Sequence, residues 1–250
     1  MKVVGRVTPL IRRYVGSPII RVAESGINEP LLRKVVGFLG IALPFVLLVW
    51  GFFICGWHVQ DSLSDYYSLR TRDAFVGILF VIGWVLFAYS GYEKMDSIAG
   101  KLAWIFALCV ALFPNSGSKW EGIVHFSSAS CLFAVFAFFS LFLFTKSEDS
   151  RKGFKNTIAD FRMGGAKKVK SMDGEKWKRK RNRNIIYVIC GYTIVVCLIL
   201  AALYEFLWQD TALSVIKPTL ILEIIMVWTF AFSWLIKGDT FWQDKEKQQE

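Results

Sequence analysis

The side chains that could do chemistry in this chain gather around one stretch, Trp57-His58-Val59-Gln60-Asp61-Ser62-Leu63-Ser64-Asp65-Tyr66-Tyr67-Ser68-Leu69-Arg70-Thr71-Arg72-Asp73. Later in the chain His125, Glu205 and Glu223 interrupt otherwise apolar segments. An ionisable group inside such a segment is costly to hold in a bilayer, faces the protein interior, and marks a functional site by default. Glu223 follows Pro218 by five residues, which at about 1.5 Å per residue sets it roughly 7–8 Å into its segment. Arg72, Arg70 and His125 are its candidate partners. The types and positions predict an outward-facing polar pocket lined by Ser62, Ser64, Tyr66, Tyr67, Arg72, Asp73, His125 and Glu223. Such a pocket takes a lipid or small molecule. A buried pair such as Arg72 with Glu223, fixing helix register and nothing more, accounts for the same residues.

Catalytic constellations are thin. Ser64 as nucleophile, His125 as base and Asp73 as its orienter form a conceivable triad. With His58 and His125 the only histidines, a three-histidine zinc site cannot be assembled, which sets the chain apart from the alkaline ceramidase and adiponectin-receptor class of membrane hydrolases. HExxH, GxSxG, GxxxxGK[ST] and GxGxxG are all absent from the sequence. No metal, cofactor or catalytic residue is therefore assigned. The leading expectation is a non-enzymatic binding protein, followed by a pore-forming or membrane-perturbing effector and then by an intramembrane hydrolase. No selectivity filter or internal repeat is visible.

The elements that position these residues follow from how apolarity is distributed. Of 250 residues 54% are apolar and 20% charged, and the charges fall in blocks that leave long uncharged runs. A bilayer core of about 30 Å needs roughly 20 apolar residues in a helix. Six segments qualify: Phe38–Gly56, Ala74–Tyr92, Ile98–Pro114, Gly122–Thr145, Asn184–Tyr204 and Pro218–Ile236. They are apolar all round rather than striped, which excludes a soluble amphipathic bundle. The expected fold is all-α, a polytopic six-transmembrane-helix bundle.

Ala99, Ala103, Ala107 and Ala111 place a strip of small side chains on one face of the third segment. Close helix packing in the bundle centre uses such a strip, and a homodimer seam is the alternative. The five cysteines (Cys55, Cys109, Cys131, Cys190, Cys197) all fall inside segments without metal or redox spacing, and read as small apolar packing groups. Trp57, Trp120, Trp208 and Trp242 sit at or beyond segment ends, as interfacial anchors do. The phenylalanines of the fourth segment read as packing or lipid-facing groups.

An even number of spans puts both termini on one side, and 26 of the 30 basic residues fall on the side of the termini. The positive-inside rule makes that side cytoplasmic, hence N-in and C-in. The chain divides into a cytoplasmic segment 1–37, spans one to four over 38–145, a basic cytoplasmic loop 146–183, spans five and six over 184–236, and a tail 237–250. Residues Asn28 to Lys34 suit a short interfacial helix. The N-terminus lacks the apolar run of a cleaved signal peptide. Lys176, Lys178, Arg179, Lys180, Arg181 and Arg183 within KWKRKRNR are expected to contact anionic lipid headgroups, a more economical partner for a cytoplasmic basic cluster than nucleic acid. Split by side, the net charge of +10 becomes strongly positive inside and slightly negative outside.

The runs Ser62-Leu63-Ser64-Asp65-Tyr66-Tyr67 and Arg72-Asp73-Ala74-Phe75-Val76-Gly77, with Gly91-Tyr92, Ala111-Leu112-Phe113-Pro114, Arg183-Asn184 and Ser233-Trp234-Leu235-Ile236-Lys237-Gly238, resemble an uncharacterised family of small bacterial six-span membrane proteins. More distantly, the serine-rich first outer loop leading into the second span is similar to the DUF998 and Frag1/DRAM/Sfk1-like membrane proteins. The resemblance covers about residues 38–238 outside the basic loop. It implies a six-helix fold in the bacterial inner (cytoplasmic) membrane and carries no activity or catalytic residues with it.

Overall fold

The computed structural model describes residues 29–56, 59–91, 94–145, 174–207 and 212–238, and among them every regular element is helical. The long helices are α1 (Glu29–Cys55), α2 (Arg72–Ala88), α3 (Lys94–Leu112), α4 (Lys119–Phe138), α5 (Gly174–Leu207) and α6 (Pro218–Lys237). Short 3₁₀ turns cover Ser64–Ser68 and Ala212–Ile216, and a π turn, Phe139–Leu143, extends α4. Five of the six, all but α2, are long and apolar enough to cross a membrane. At 17 residues, α2 is about 25 Å long, slightly short of a bilayer core of about 30 Å. Large apolar side chains cover the outside of the bundle, Phe53, Val196 and Phe206 among them, as in a protein solvated by lipid.

The helices pack in chain order. Each contacts the next, and α6 returns to pack against α1, so the bundle closes into a ring. The alanine strip of α3 faces inward, with Ala103 and Ala107 fully buried. That places the small residues in the bundle's own packing rather than on a face open to a second copy. The approach is tight at Gly100, where a Cβ would stand 2.4 Å from the Leu86 carbonyl oxygen of α2. Backbone cannot retreat as a flexible side chain can, so Gly100→Ala is expected to cost about 1–3 kcal/mol, read as a lower thermal midpoint of the detergent-solubilised protein. Were the midpoint unchanged, α2 and α3 would not be in close contact.

Two boundaries differ from the sequence reading. Residues Glu29 to Lys34 are not a separate interfacial helix but the first turns of α1, which runs unbroken past Pro44. Arg33 explains the continuity: it is 3% exposed, bonded to Glu29 one turn earlier at 2.7 Å and lying over the Tyr89 ring. Likewise α5 begins at Gly174, so KWKRKRNR belongs to a helix rather than to the end of a loop. Residues 1–28, most of the 146–183 segment and the tail beyond Gly238 lie outside the described residues, as do Trp57, Trp208 and Trp242.

At the α1 N-terminal end the ring is plugged. Trp234 is completely buried among Tyr89, Phe139, Phe144 and Phe230, with ring centroids 5.0–5.6 Å away. Tyr187 of α5 packs on Phe144. Of the phenylalanines in the fourth segment, Phe136, Phe139 and Phe144 are buried, whereas Phe126 and Phe142 face outward. The π turn brings Ser140 within 3.1 Å of Ser233, a buried hydroxyl pair between α4 and α6.

Candidate functional site

The opposite end of the ring is capped by the segment between α1 and α2. Thr71, fully buried, donates its hydroxyl to the Tyr66 carbonyl, and the Ser62 hydroxyl accepts the Asp65 N–H. These side-chain bonds close the 3₁₀ turn on itself. Its neighbours fasten it down: Asn115 donates to Asp65, Ser68 pairs with Ser116, and Lys217 reaches Asp61 at 2.9 Å and the Val59 carbonyl. Leu220 of α6 donates its N–H to the Asp61 carbonyl. The loop is thus a structured cap tied to α6 and to the α3–α4 connection.

Beneath the cap three of the expected residues meet. His125, on α4 and fully buried, has Nδ1 2.7 Å from the Phe113 carbonyl oxygen and Nε2 2.9 Å from the Ser64 hydroxyl. A carbonyl only accepts, so Nδ1 carries a proton. In the neutral ring Nε2 is then an acceptor and Ser64 donates to it. Glu223, half-buried on α6, accepts the Leu63 N–H at 2.6 Å. The Glu223 carboxyl group and the His125 imidazole therefore hold adjacent residues of the cap, one from α6 and one from α4.

Below Ser64 and Glu223 lies a cavity of about 60 Å³. Apart from those two residues its wall is apolar, built from α1 (Leu43), α2 (Phe75, Leu79), α3 (Val110), α4 (Phe133, Phe136) and α6 (Val227, Phe230). At its foot Phe136 and Phe230 stack face to face with rings only 8° from parallel. Sequence periodicity gave no hint of this void, because it arises from how five helices fit together and not from the residue types of any one of them.

The remaining expected residues are elsewhere. Arg72 is exposed; its guanidinium donates to the Tyr67 hydroxyl at 3.1 Å and lies 4.7 Å from that ring's centroid, so the expected Arg72–Glu223 pair is not formed. Tyr67 in turn donates to the Leu112 carbonyl. Asp73 is exposed in the first turn of α2, where a carboxylate complements the helix dipole. It does not orient His125; the Phe113 carbonyl does. The conceived triad is reduced to a serine and a histidine. Tyr66 is buried against α1, where a Cβ on Gly51 would meet its ring at 2.5 Å.

No group of three or more histidine, cysteine or acidic side chains is arranged to hold a metal among the described residues. In the basic stretch Arg179, Lys180, Arg181 and Arg183 lie on the first part of α5, while the side chains of Lys176 and Lys178 lie outside the described residues. Comparison of the chain with known protein families, curated proteins and solved structures finds no match in any of the three.

Proposed function

We propose that this chain is a six-span protein of the bacterial cytoplasmic membrane, N-in and C-in, that binds a lipid or small molecule in the cavity beneath its outer cap. The observation that carries the reading is the cavity itself: an apolar chamber inside the ring with its polar residues, Ser64 and Glu223, together at the capped end. Ligand sites are built this way, mostly apolar with a few placed polar groups that fix orientation. The test is native mass spectrometry of protein released from lipid nanodiscs. A bound species that is retained by the wild type and lost on filling the chamber with Val227→Trp supports the reading. Release of bare protein under conditions that preserve annular lipid counts against it.

The topology within this proposal rests on the charge asymmetry. On that topology Ser68→Cys, placed on the exposed side of the cap, is expected to react with a membrane-impermeant thiol reagent added outside. A cysteine introduced at Arg179 is expected to stay protected until the membrane is opened. The reverse pattern rejects N-in/C-in. The basic start of α5 then lies at the inner headgroup layer, where each Lys or Arg near an anionic surface contributes about 1 kcal/mol.

The closed ring of helices favours one other reading, a pore along its axis. As it stands the axis is blocked twice, by the cap and by the rings around Trp234. Ion or dye flux from liposomes carrying the protein, absent from empty ones, would support it.

A further inference from the structure

With the cap closed, the chamber is smaller than the ligands it is proposed to take. At about 60 Å³ it falls well below the roughly 150 Å³ void that admits benzene, so a lipid or small molecule enters only if part of the wall moves. Five helices supply most of that wall, and the cap supplies Leu63 and Ser64. These two residues belong to differently fastened halves of the cap. Ser64, Asp65, Tyr67 and Ser68 are held by α3, α4 and the connection between them, through His125, Asn115, the Leu112 carbonyl and Ser116. Val59, Asp61 and Leu63 are held by the start of α6, through Lys217, Leu220 and Glu223.

The α6 fastening carries strain. Lys217, at φ 52° and ψ 61°, is the one non-glycine residue in the left-handed region among the described residues. It also precedes Pro218, and a residue in that place favours extended backbone. Such outliers persist where surrounding contacts impose them. Here the imposing contacts are those of the Lys217 ammonium with the Val59 carbonyl and with Asp61, whose side chain is 81% exposed. The 3₁₀ turn leading into Lys217 buries no side chain that would brace it. An exposed ion pair contributes little in water and is screened by salt, so clasp and strain stand close to balance. At the other end the chain leaves α1 through Gly56, at φ 76°, with nothing within 4 Å of where a Cβ would stand. We infer that residues 59–63 are a strap that unclasps from Lys217 and lifts Leu63 out of the chamber wall, admitting the ligand from the capped side. The inference rests on the binding reading above and gives that site its gate. The bond from Leu63 to Glu223 needs only an acceptor oxygen, which the neutral acid and the carboxylate both supply.

The test uses the full chain in nanodiscs with a reporter thiol in the wall, Val227→Cys on α6 or Val110→Cys on α3, and a cationic methanethiosulfonate reagent that reaches a thiol only through water. Peptide mass spectrometry separates the reporter from the native cysteines. Lys217→Met keeps the strain and loses the clasp, and is expected to raise the modification rate about fivefold, the size of one exposed ion pair with one hydrogen bond. Lys217→Gly also loses the clasp but is at ease at positive φ, and is expected to raise the rate less. Salt at about 1 M, where screening reaches about 3 Å, is expected to speed the wild type and leave Lys217→Met unchanged. Ser68→Ala, in the other half of the cap, is expected to leave the rate as it is. Equal rates in the wild type and both Lys217 variants overturn the strap, and so does an equal rise in Ser68→Ala, which would make the cap move as one piece. A species retained in native mass spectrometry alongside unmoved rates leaves the binding reading standing without its gate. Raised rates with bare protein overturn the binding reading, and with it the strap's role as a gate.

Discussion

Replacing Trp234 by alanine is expected to be the most damaging single substitution in the described part of the chain. The indole is wholly buried and joins α6 to the end of α2 through Tyr89 and to α4 through Phe139 and Phe144. In a soluble protein the loss would combine a transfer term with a cavity term. In lipid the transfer term largely falls away, because hydrocarbon tails are as apolar as the protein interior. The cavity term remains, and at about 24 cal/mol per Å³ on a void of order 100 Å³ it amounts to about 2–3 kcal/mol. Lost edge-to-face ring contacts add about 0.5–1.5 kcal/mol for each pair. A loss of about 3–5 kcal/mol is expected in reversible unfolding with denaturing detergent. Trp234→Phe separates volume from hydrogen bonding: the indole Nε1 has no partner, so phenylalanine is expected to cost about 1–2 kcal/mol, all of it packing. If phenylalanine proved as harmful as alanine, the nitrogen would have to be bonded and the plug described above would be misdrawn.

What the sequence made legible was set by one-dimensional signals. Long uncharged runs between blocks of charge are local in the chain, and they located each of the long helices, including the short α2. The alanine strip at spacing four is local too, and its burial in the bundle follows from it. His125 and Glu223 stood out because an ionisable group in an apolar run is conspicuous whatever surrounds it. Their partners were not legible. Arg72 was the nearest plausible cation for Glu223, yet the carboxylate is met by a backbone N–H of the cap, and amides carry no residue-type signal. Asp73 looked like an orienter for His125, but a carbonyl at the end of α3 does that work. Arg33 counted as one more topological charge until burial against Tyr89 and Glu29 separated it from the rest. Its i, i+4 spacing from Glu29 is the one sequence signal that could have announced the early start of α1. The cavity is the extreme case, being a property of five helices at once.

The cap can be tested through His125, the residue on which the capped end turns. His125→Phe keeps an aromatic ring of similar size but removes both ring nitrogens. The Phe113 carbonyl loses its donor and the Ser64 hydroxyl its acceptor, beneath a cap that admits little water. Interhelical hydrogen bonds in membrane proteins are worth about 0.6 kcal/mol on average and up to about 1.7, while a buried group left unsatisfied costs about 1–3 kcal/mol. Two such groups give an expected loss of about 2–4 kcal/mol. The damage has a place as well as a size: amide hydrogen exchange is expected to rise over the cap, from Val59 to Thr71, while the Trp234 end keeps its protection. Ser64→Ala removes one of the two bonds and is expected to cost about 1 kcal/mol. Combined with His125→Phe it should add almost nothing, because the hydroxyl it deletes has already lost its acceptor. A double variant whose loss equals the sum of the two single losses would mean that Ser64 and His125 act independently, and that the buried bond between them does not hold the cap.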